Sequence, residues 1–285
     1  MTQATSNEPH WQTGRFRIDL STPRVMGIVN LTPDSFSDGG AHTGRAAGLA
    51  HCEQLVGEGA DMLDLGGEST RPGAPEVGIS EELDRVMPVL EGALKLGVPI
   101  SVDTRKPDVM RAALAAGADI VNDVNALRWP GALDAIAAHP SCGVCLMHMH
   151  GTPETMQQRP AYADVVEEVI AFLRERCAAL DSRGIAAERV AVDPGIGFGK
   201  SVEHNLELLR RQSELLAVGR PLLIGWSRKS TLGALTGRPV GERAAASIAA
   251  ALMAVQRGAR IVRVHDVAAT VDALTVWKQV EAMRG

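Results

Sequence analysis

Short runs of aliphatic residues alternate along this chain with longer stretches whose apolar positions return every three or four residues. The runs are Val25 to Val29, Met62 to Leu65, Pro99 to Val102, Ile120 to Val121, Gly143 to Met149, Val190 to Val192, Pro221 to Ile224 and Arg260 to Val264. Short apolar runs of this kind, bounded by Gly, Pro or Asp, predict strands buried on both faces. Between them the spacing predicts helices over Arg45–Gly59, Ser80–Leu96, Pro107–Ala116, Gly131–Ala138, Tyr162–Arg183, Glu203–Arg211, Gly241–Arg257 and Val267–Met283. Ser80, followed by Glu81 and Glu82, has the chemistry of a helix start, and Pro107 suits a first helical position. Gly59-Ala60-Asp61, Gly117-Ala118-Asp119 and Gly258-Ala259-Arg260 repeat one stop signal. In each, a helix ends at a glycine suited to the left-handed conformation and a strand begins shortly after.

Strict alternation of strand and helix implies parallel strands joined by right-handed crossovers. Eight such units predict a single-domain α/β fold, the (β/α)8 TIM barrel. A doubly wound open sheet would carry a glycine-rich dinucleotide fingerprint after its first strand. Here Asn30-Leu-Thr-Pro-Asp-Ser-Phe-Ser-Asp-Gly-Gly40 follows instead, without that spacing. Phe16 to Leu20 is expected to lay a short extra strand or hairpin across the barrel floor. Residues 1–14 read as a flexible polar tail, and the barrel as 15–285.

Composition narrows the function classes. The chain has 285 residues, 45% of them hydrophobic and only 3% aromatic, so its core must be aliphatic. The net charge of −5 argues against a nucleic-acid or membrane-surface binder. The most apolar stretch, Ala244 to Val255, is too short to span a bilayer. Met1 to Gly14 lacks a basic segment followed by an apolar one, and four cysteines are too few for a disulfide framework, so a cytoplasmic setting is expected. Cys142-Gly-Val-Cys145 has redox spacing, but it runs into a strand, where residues three apart face opposite ways. A structural role is expected for both.

In a barrel of this kind the active site forms at the C-terminal ends of the strands. Those ends present Asn30, the stretch Gly66 to Arg71, Asp103, Asn122, His148 with His150, Asp193, Ser227-Arg228-Lys229, and Arg263 with His265. Asp103, Asn122 and Asp193 are short, stiff groups suited to reading the edge of a flat nitrogen heterocycle by paired hydrogen bonds. Arg71, Arg263 and His265 are cationic donors suited to a phosphate or diphosphate. Lys229 could serve either set. Gly199-Lys200-Ser201 looks like the end of a phosphate loop, but the required upstream glycine position holds Pro194. His148-Met-His150 has the spacing of a metal pair in barrel hydrolases, yet it lies on the fifth strand, whereas such pairs lie on the first.

These segments resemble the dihydropteroate synthase family. Met26-Gly-Ile-Val-Asn30 through Gly40 is similar to its first signature, and Asp64-Leu-Gly-Gly-Glu-Ser-Thr-Arg-Pro-Gly73 to its second. Ser101-Val-Asp-Thr104, Asn122-Asp-Val, Leu146-Met-His-Met, Asp193 to Lys200, Ser227-Arg-Lys229 and Arg263 to Val267 continue in the family's order, over about Arg15 to Arg284. The resemblance implies condensation of para-aminobenzoate with 6-hydroxymethyl-7,8-dihydropterin diphosphate, releasing diphosphate and 7,8-dihydropteroate.

The resemblance also implies roles. Asp103, Asn122, Asp193 and Lys229 would hold the pterin, with Met147 against its face. Asn30 would ligate Mg2+ on the diphosphate, while Thr70, Arg71, Arg263 and His265 surround the anion. Para-aminobenzoate, and the sulfonamides that compete with it, would sit near Phe36, Thr70, Pro72, Phe198 and Ser227. Asp38, Lys229 and Arg263 would be catalytic, Asp38 closing over a cationic methylene on a glycine-punctuated loop. A homodimer is implied as well. A metal hydrolase gives no reason for Arg71 and Arg263. A corrinoid methyltransferase barrel would lack the Ser-Thr-Arg and Ser-Arg-Lys segments, and a non-catalytic pterin binder would be expected to lose first-loop residues that are intact here.

Overall fold

The computed structural model describes residues 9–32, 41–69, 74–151 and 161–283. The chain enters through an antiparallel hairpin, β1 (His10–Thr13) and β2 (Phe16–Asp19), with Trp11 opposite Ile18. Eight strands follow: β3 (Arg24–Asn30), β4 (Met62–Gly66), β5 (Ile100–Asp103), β6 (Ile120–Asp123), β7 (Gly143–Met147), β8 (Val190–Asp193), β9 (Leu223–Ile224) and β10 (Ile261–Val264). They pair in parallel in the order β8-β7-β6-β5-β4-β3-β10-β9, and a parallel bridge between Val192 and Leu222 joins the two ends. The helices α1 (Ala41–Gly57), α2 (Ile79–Ala93), α3 (Pro107–Ala116), α4 (Ala132–Ala137), α5 (Val165–Asp181) and α6 (Val202–Arg210) each follow one strand in turn. Both α7 (Ser230–Thr236) and α8 (Ala244–Gln256) lie between β9 and β10, and α9 (Val267–Ala282) ends the barrel. This is the expected TIM barrel.

Local chemistry explains most element ends. Pro107 opens α3, and Gly117 closes it at φ +109°, where its N–H reaches the Ala113 and Leu114 carbonyls. The Asp164 carboxylate accepts the Val166 and Glu167 N–H groups at the start of α5. Helix α2 departs from expectation. It begins at Ile79 behind an extended Gly78, so Ser80 sits inside the first turn and caps nothing. Helix α7 is unforeseen, because it is short and Gly233 breaks its apolar pattern. A side chain at Gly233 would collide with Arg243, whose Nη1 donates to the Arg228 carbonyl at 3.0 Å.

The period-two alternation of a strand assigns each barrel side chain to one of two surroundings. Val25, Val29, Leu63, Leu65, Val102, Val121, Val144, Val192 and Val262 belong to the large core shared with the helices. Met26, Met62, Ile120, Cys145, Ala191, Leu223 and Ile261 point inward and form a separate apolar cluster with Trp11, Ile18 and Leu20 of the hairpin. The hairpin therefore plugs the lower end of the barrel. Trp11 is fully buried, and its Nε1 donates to the Arg189 carbonyl at 2.9 Å. Arg15 pairs with the buried Asp119, which also accepts the Arg15 and Ile100 backbone N–H groups. The tail expected through Gly14 is corrected accordingly: His10–Thr13 is a strand, because burying Trp11 under the barrel fixes it. Cys142 lies in the outer core and Cys145 in the floor, so the pair does face opposite ways, and all four cysteines are free.

Candidate active site

Two residues beyond the apolar floor, the inward positions of β4, β6, β8 and β10 become polar. Asp64 on β4, Asp103 on β5, Asn122 on β6, Met147 on β7, Asp193 on β8 and Arg263 on β10 all project into the barrel mouth by the parity of their strands. Asn30 ends β3 in register with Gly66 and is half-buried. A layer this polar inside a barrel must satisfy itself or a ligand.

Arg263 organises one side of the mouth. Its Nε donates to Asp64 Oδ2 at 2.6 Å and its Nη2 to Asp103 Oδ2 at 3.0 Å. Asn122 Nδ2 donates to the same Asp64 oxygen at 3.0 Å. Burial opposes the charge on Arg263, but Asp64 and Asp103 outweigh it and raise its pKa, so the guanidinium is permanently charged. Burial, and then repulsion from Asp64, push Asp103 well above the usual carboxylate range, against the pull of Arg263. The sequence reading puts Arg263 with the anion-directed groups. The structure places it on the carboxylates of the ring-reading set, which makes it a bridge between the two sets.

Asp64 is the residue that sequence reasoning missed. It lies mid-strand rather than at a strand end, completely buried, with Oδ1 lacking a described partner. The available signal was an aspartate inside an apolar run, on the same parity as Met62.

On the other side, Asp193 Oδ1 accepts the Gly195 N–H at 2.7 Å, and Oδ2 has no hydrogen-bond partner among the described residues. Burial raises the Asp193 pKa. Lys229 Nζ stands 4.1 Å from the centre of the Phe198 ring, a cation–π contact. Burial, and then Arg263, pull Lys229 down to about 8. Met147 packs with Val124, Met149 and Phe198 at the edge of the mouth. Ser227 Oγ lies 2.9 Å from His265 Nδ1 and accepts the His265 backbone N–H at 3.1 Å. Burial, followed by Arg263 and Arg228, holds His265 down to about 3, against the cationic role expected of it. Between Ser227 and Lys229, Arg228 adopts φ +58°, pinned by Asp266 and by Ser247 Oγ. A non-glycine residue holds that conformation at a price in strain, and here the turn directs its two neighbours to the mouth.

His148 and His150 do not form a metal pair. His148 is buried beside Phe172 with Nδ1 on Lys200, while His150 is exposed. Among the described residues no group of three or more His, Cys, Asp or Glu could hold a metal ion. Asn30 supplies one amide oxygen. Mg2+ keeps several waters and accepts few protein ligands when a phosphate brings the rest. The described residues thus fit an ion carried on a diphosphate and do not fit a protein-built cage. Phe36, Asp38, Thr70, Arg71 and Pro72 lie outside the described residues.

Comparison with known proteins follows the same lines. Residues 26–265 match the family model described as pterin binding enzyme. A dihydropteroate synthase of Neisseria meningitidis serogroup B is 56% identical over 274 residues, covering 94% of this chain and 96% of that protein. The structure of Xanthomonas albilineans dihydropteroate synthase with 4-aminobenzoic acid aligns with a TM-score of 0.91 at 54% identity, covering 97% of this chain and 99% of the other. That of the Burkholderia cenocepacia enzyme complexed with 7,8-dihydropteroate aligns at 0.88 and 52% identity, covering 97% and 98%.

Proposed function

This chain belongs to the pterin binding enzyme family and acts as a dihydropteroate synthase, and on that premise we propose how its residues divide the work of joining para-aminobenzoate to 6-hydroxymethyl-7,8-dihydropterin diphosphate. One observation carries the assignment of roles: a layer of Asp103, Asn122 and Asp193 lines the mouth with two half-buried cations, Arg263 and Lys229, among them.

The pterin's amino-pyrimidinone edge is read by Asp193 and Asn122, with Asp103 below. Asp193 keeps Oδ2 for the ligand because Gly195 occupies Oδ1. Met147 packs on the ring face, and Lys229 donates to its rim. A ring lacking the matching donors leaves buried carboxylates unpaired, which is where selectivity arises.

The amine nitrogen of para-aminobenzoate is already neutral and needs no strong base before attack; the proton it sheds once the C–N bond forms passes to the released diphosphate or to water. The harder event is breaking the C–O bond to the diphosphate, and fixed positive charge at the leaving oxygens eases it. Arg263 supplies that charge from its bridging position. His265, oriented by Ser227, offers an N–H donor, and by resemblance Thr70 and Arg71 would join it around the anion. Asn30 would hold Mg2+, which neutralises diphosphate charge when bound. Phe198 and Ser227 form the described wall of the aminobenzoate site, and by resemblance Phe36, Thr70 and Pro72 would contribute to it. Asp38 would close near the electron-poor methylene.

The decisive experiment follows diphosphate release from the pterin diphosphate with and without para-aminobenzoate. Release that depends on the amine, with 7,8-dihydropteroate formed in equal amount, supports the reading. Release independent of the amine would make this a diphosphatase and overturn it.

Exposed Leu235, Met253, Val276 and Val280 on α7, α8 and α9 support a homodimer through this face, which sedimentation of the purified protein measures. Four buried thiols suit the reducing cytoplasm. No described helix is long and apolar enough to cross a membrane.

A further inference from the structure

The segment between β8 and α6 carries three glycines at positive φ, Gly195 (+69°), Gly197 (+82°) and Gly199 (+63°), around Phe198. Such a backbone has little stiffness of its own. Close approach requires at least two of these glycines. A side chain at Gly195 would lie 1.9 Å from the His148 carbonyl, and one at Gly199 would lie 2.7 Å from that of His150.

What holds this loop is the ammonium of Lys200, whose pKa its own burial pulls down to about 7. Lys200 is 3% exposed. Its Nζ donates to the Phe198 carbonyl at 3.0 Å, the Gly195 carbonyl at 3.1 Å and the His148 carbonyl at 3.4 Å, and it lies 2.9 Å from His148 Nδ1. Burying an ammonium is expensive, and a methionine of similar length would fill the space. The charge is compensated by carbonyls from two separate strand ends, drawn to one point.

Two further bonds act on the same loop from outside. Tyr162 Oη donates to the Gly199 carbonyl at 2.8 Å, and the Gly197 N–H donates to Asn205 Oδ1 at 2.8 Å. Asn205 in turn donates to Thr231 Oγ1 at 2.9 Å, just beyond Lys229. The loop and the Lys229 turn are therefore coupled, and a side chain at Gly197 would press on Lys229 Cδ at 3.2 Å.

We propose that Lys200 is a positioning residue: its ammonium gathers the ends of β7 and β8 around the Gly195–Gly199 loop and so fixes Phe198 against Lys229 as a wall of the aminobenzoate site. This rests on the reading of Phe198 given above. Among the pterin-reading groups Asp103, Asn122, Met147 and Asp193 stand on strands and Lys229 on a turn, whereas Phe198 stands on this loop itself, so loosening the loop harms the amine substrate more than the pterin.

Two variants and three readouts test it in the full chain. Lys200→Met removes the ammonium. Tyr162→Phe removes one outer bond, keeps the ring, and serves as the fallback if Lys200→Met does not fold. Hydrogen exchange at the Gly195–Gly199 amides reports the loop without any need for activity, and it should quicken in both variants. The KM for para-aminobenzoate should rise roughly tenfold or more in Lys200→Met, since small misplacements cost large factors. In Tyr162→Phe it should rise roughly two- to tenfold, the worth of one hydrogen bond. The calorimetric affinity for 7,8-dihydropterin should stay within about twofold of wild type. Unchanged exchange, an unchanged KM in the folded variants, or equal weakening of both ligands overturns the proposal, the last by reducing Lys200 to general support. A wild-type protein that makes no dihydropteroate would instead sink the functional reading, and the exchange data would still decide whether Lys200 holds the loop.

Discussion

The floor and the mouth of this barrel are built by the same strands two residues apart, and they obey opposite rules. In the floor, Met62, Ile120, Cys145, Ala191 and Ile261 close on one another and on Trp11, with the small Ser101 fully buried at the inward position of β5. In the mouth, the next inward residues of those strands are Asp64, Asn122, Met147, Asp193 and Arg263. The floor keeps the barrel shut by excluding water. The mouth holds charge that the floor's rigidity keeps in place, with carboxylates and cations close enough to perturb one another. One step along a strand separates stability from chemistry.

The first way to break that division is to damage the floor. Trp11→Ala removes a fully buried side chain and its bond to the Arg189 carbonyl. Denaturant unfolding should show a loss of about 3–5 kcal/mol, while the folded protein keeps its affinity for 7,8-dihydropteroate.

Arg263→Ala attacks the mouth. It strips the shared cation from Asp64 and Asp103. A residue devoted to the leaving group alone would leave product binding intact, since dihydropteroate carries no phosphate. The bridging geometry predicts otherwise: calorimetry should find product and diphosphate both weakened, each by roughly ten- to hundredfold, the scale of a lost charged hydrogen bond.

A smaller effect sharpens the comparison through pH. Burial, and then Lys200, hold His148 down to about 2, far below its unfolded value. The unfolded chain therefore binds a proton at this ring that the folded chain refuses. Stability from the neutral ring is complete above about pH 6.5 and is lost as pH falls below it. His148→Asn should lessen the acid-side decline by about 1.4 kcal/mol per pH unit between roughly pH 6 and 4, measured by unfolding at a series of pH values. An identical slope would mean that the ring is charged in the folded protein.

Most of the architecture was legible in the sequence, because short apolar runs and helical periods are local signals. All eight strands stand where the runs predict them, and Pro107 and Gly117 bound α3 as expected. The errors arise where long-range contacts decide. Trp11 is a strand residue only because the barrel floor lies above it, and α7 is a helix although Gly233 interrupts its pattern.

The site was legible at the strand ends, where position alone suggests function. Asp64 was hidden mid-strand, and the pull of burial, Arg263 and Arg228 on His265 comes from contacts that leave no local signal. Lys200 was visible only as part of a failed phosphate-loop pattern. Its partners are carbonyls, and no residue alphabet shows where carbonyls converge.

The central claim, that neighbouring layers of one strand divide stability from recognition, is tested most directly on β8. Ala191 is a floor residue and Asp193 a mouth residue of the same strand. Ala191→Leu and Asp193→Asn are each measured for unfolding free energy and for 7,8-dihydropteroate affinity by calorimetric titration. The account predicts that Ala191→Leu loses about 1–3 kcal/mol of stability through overpacking, with affinity within twofold. It predicts that Asp193→Asn loses roughly ten- to hundredfold in affinity, with stability little changed. If Asp193→Asn binds like the wild type, or if each variant lowers both quantities together, the division does not exist.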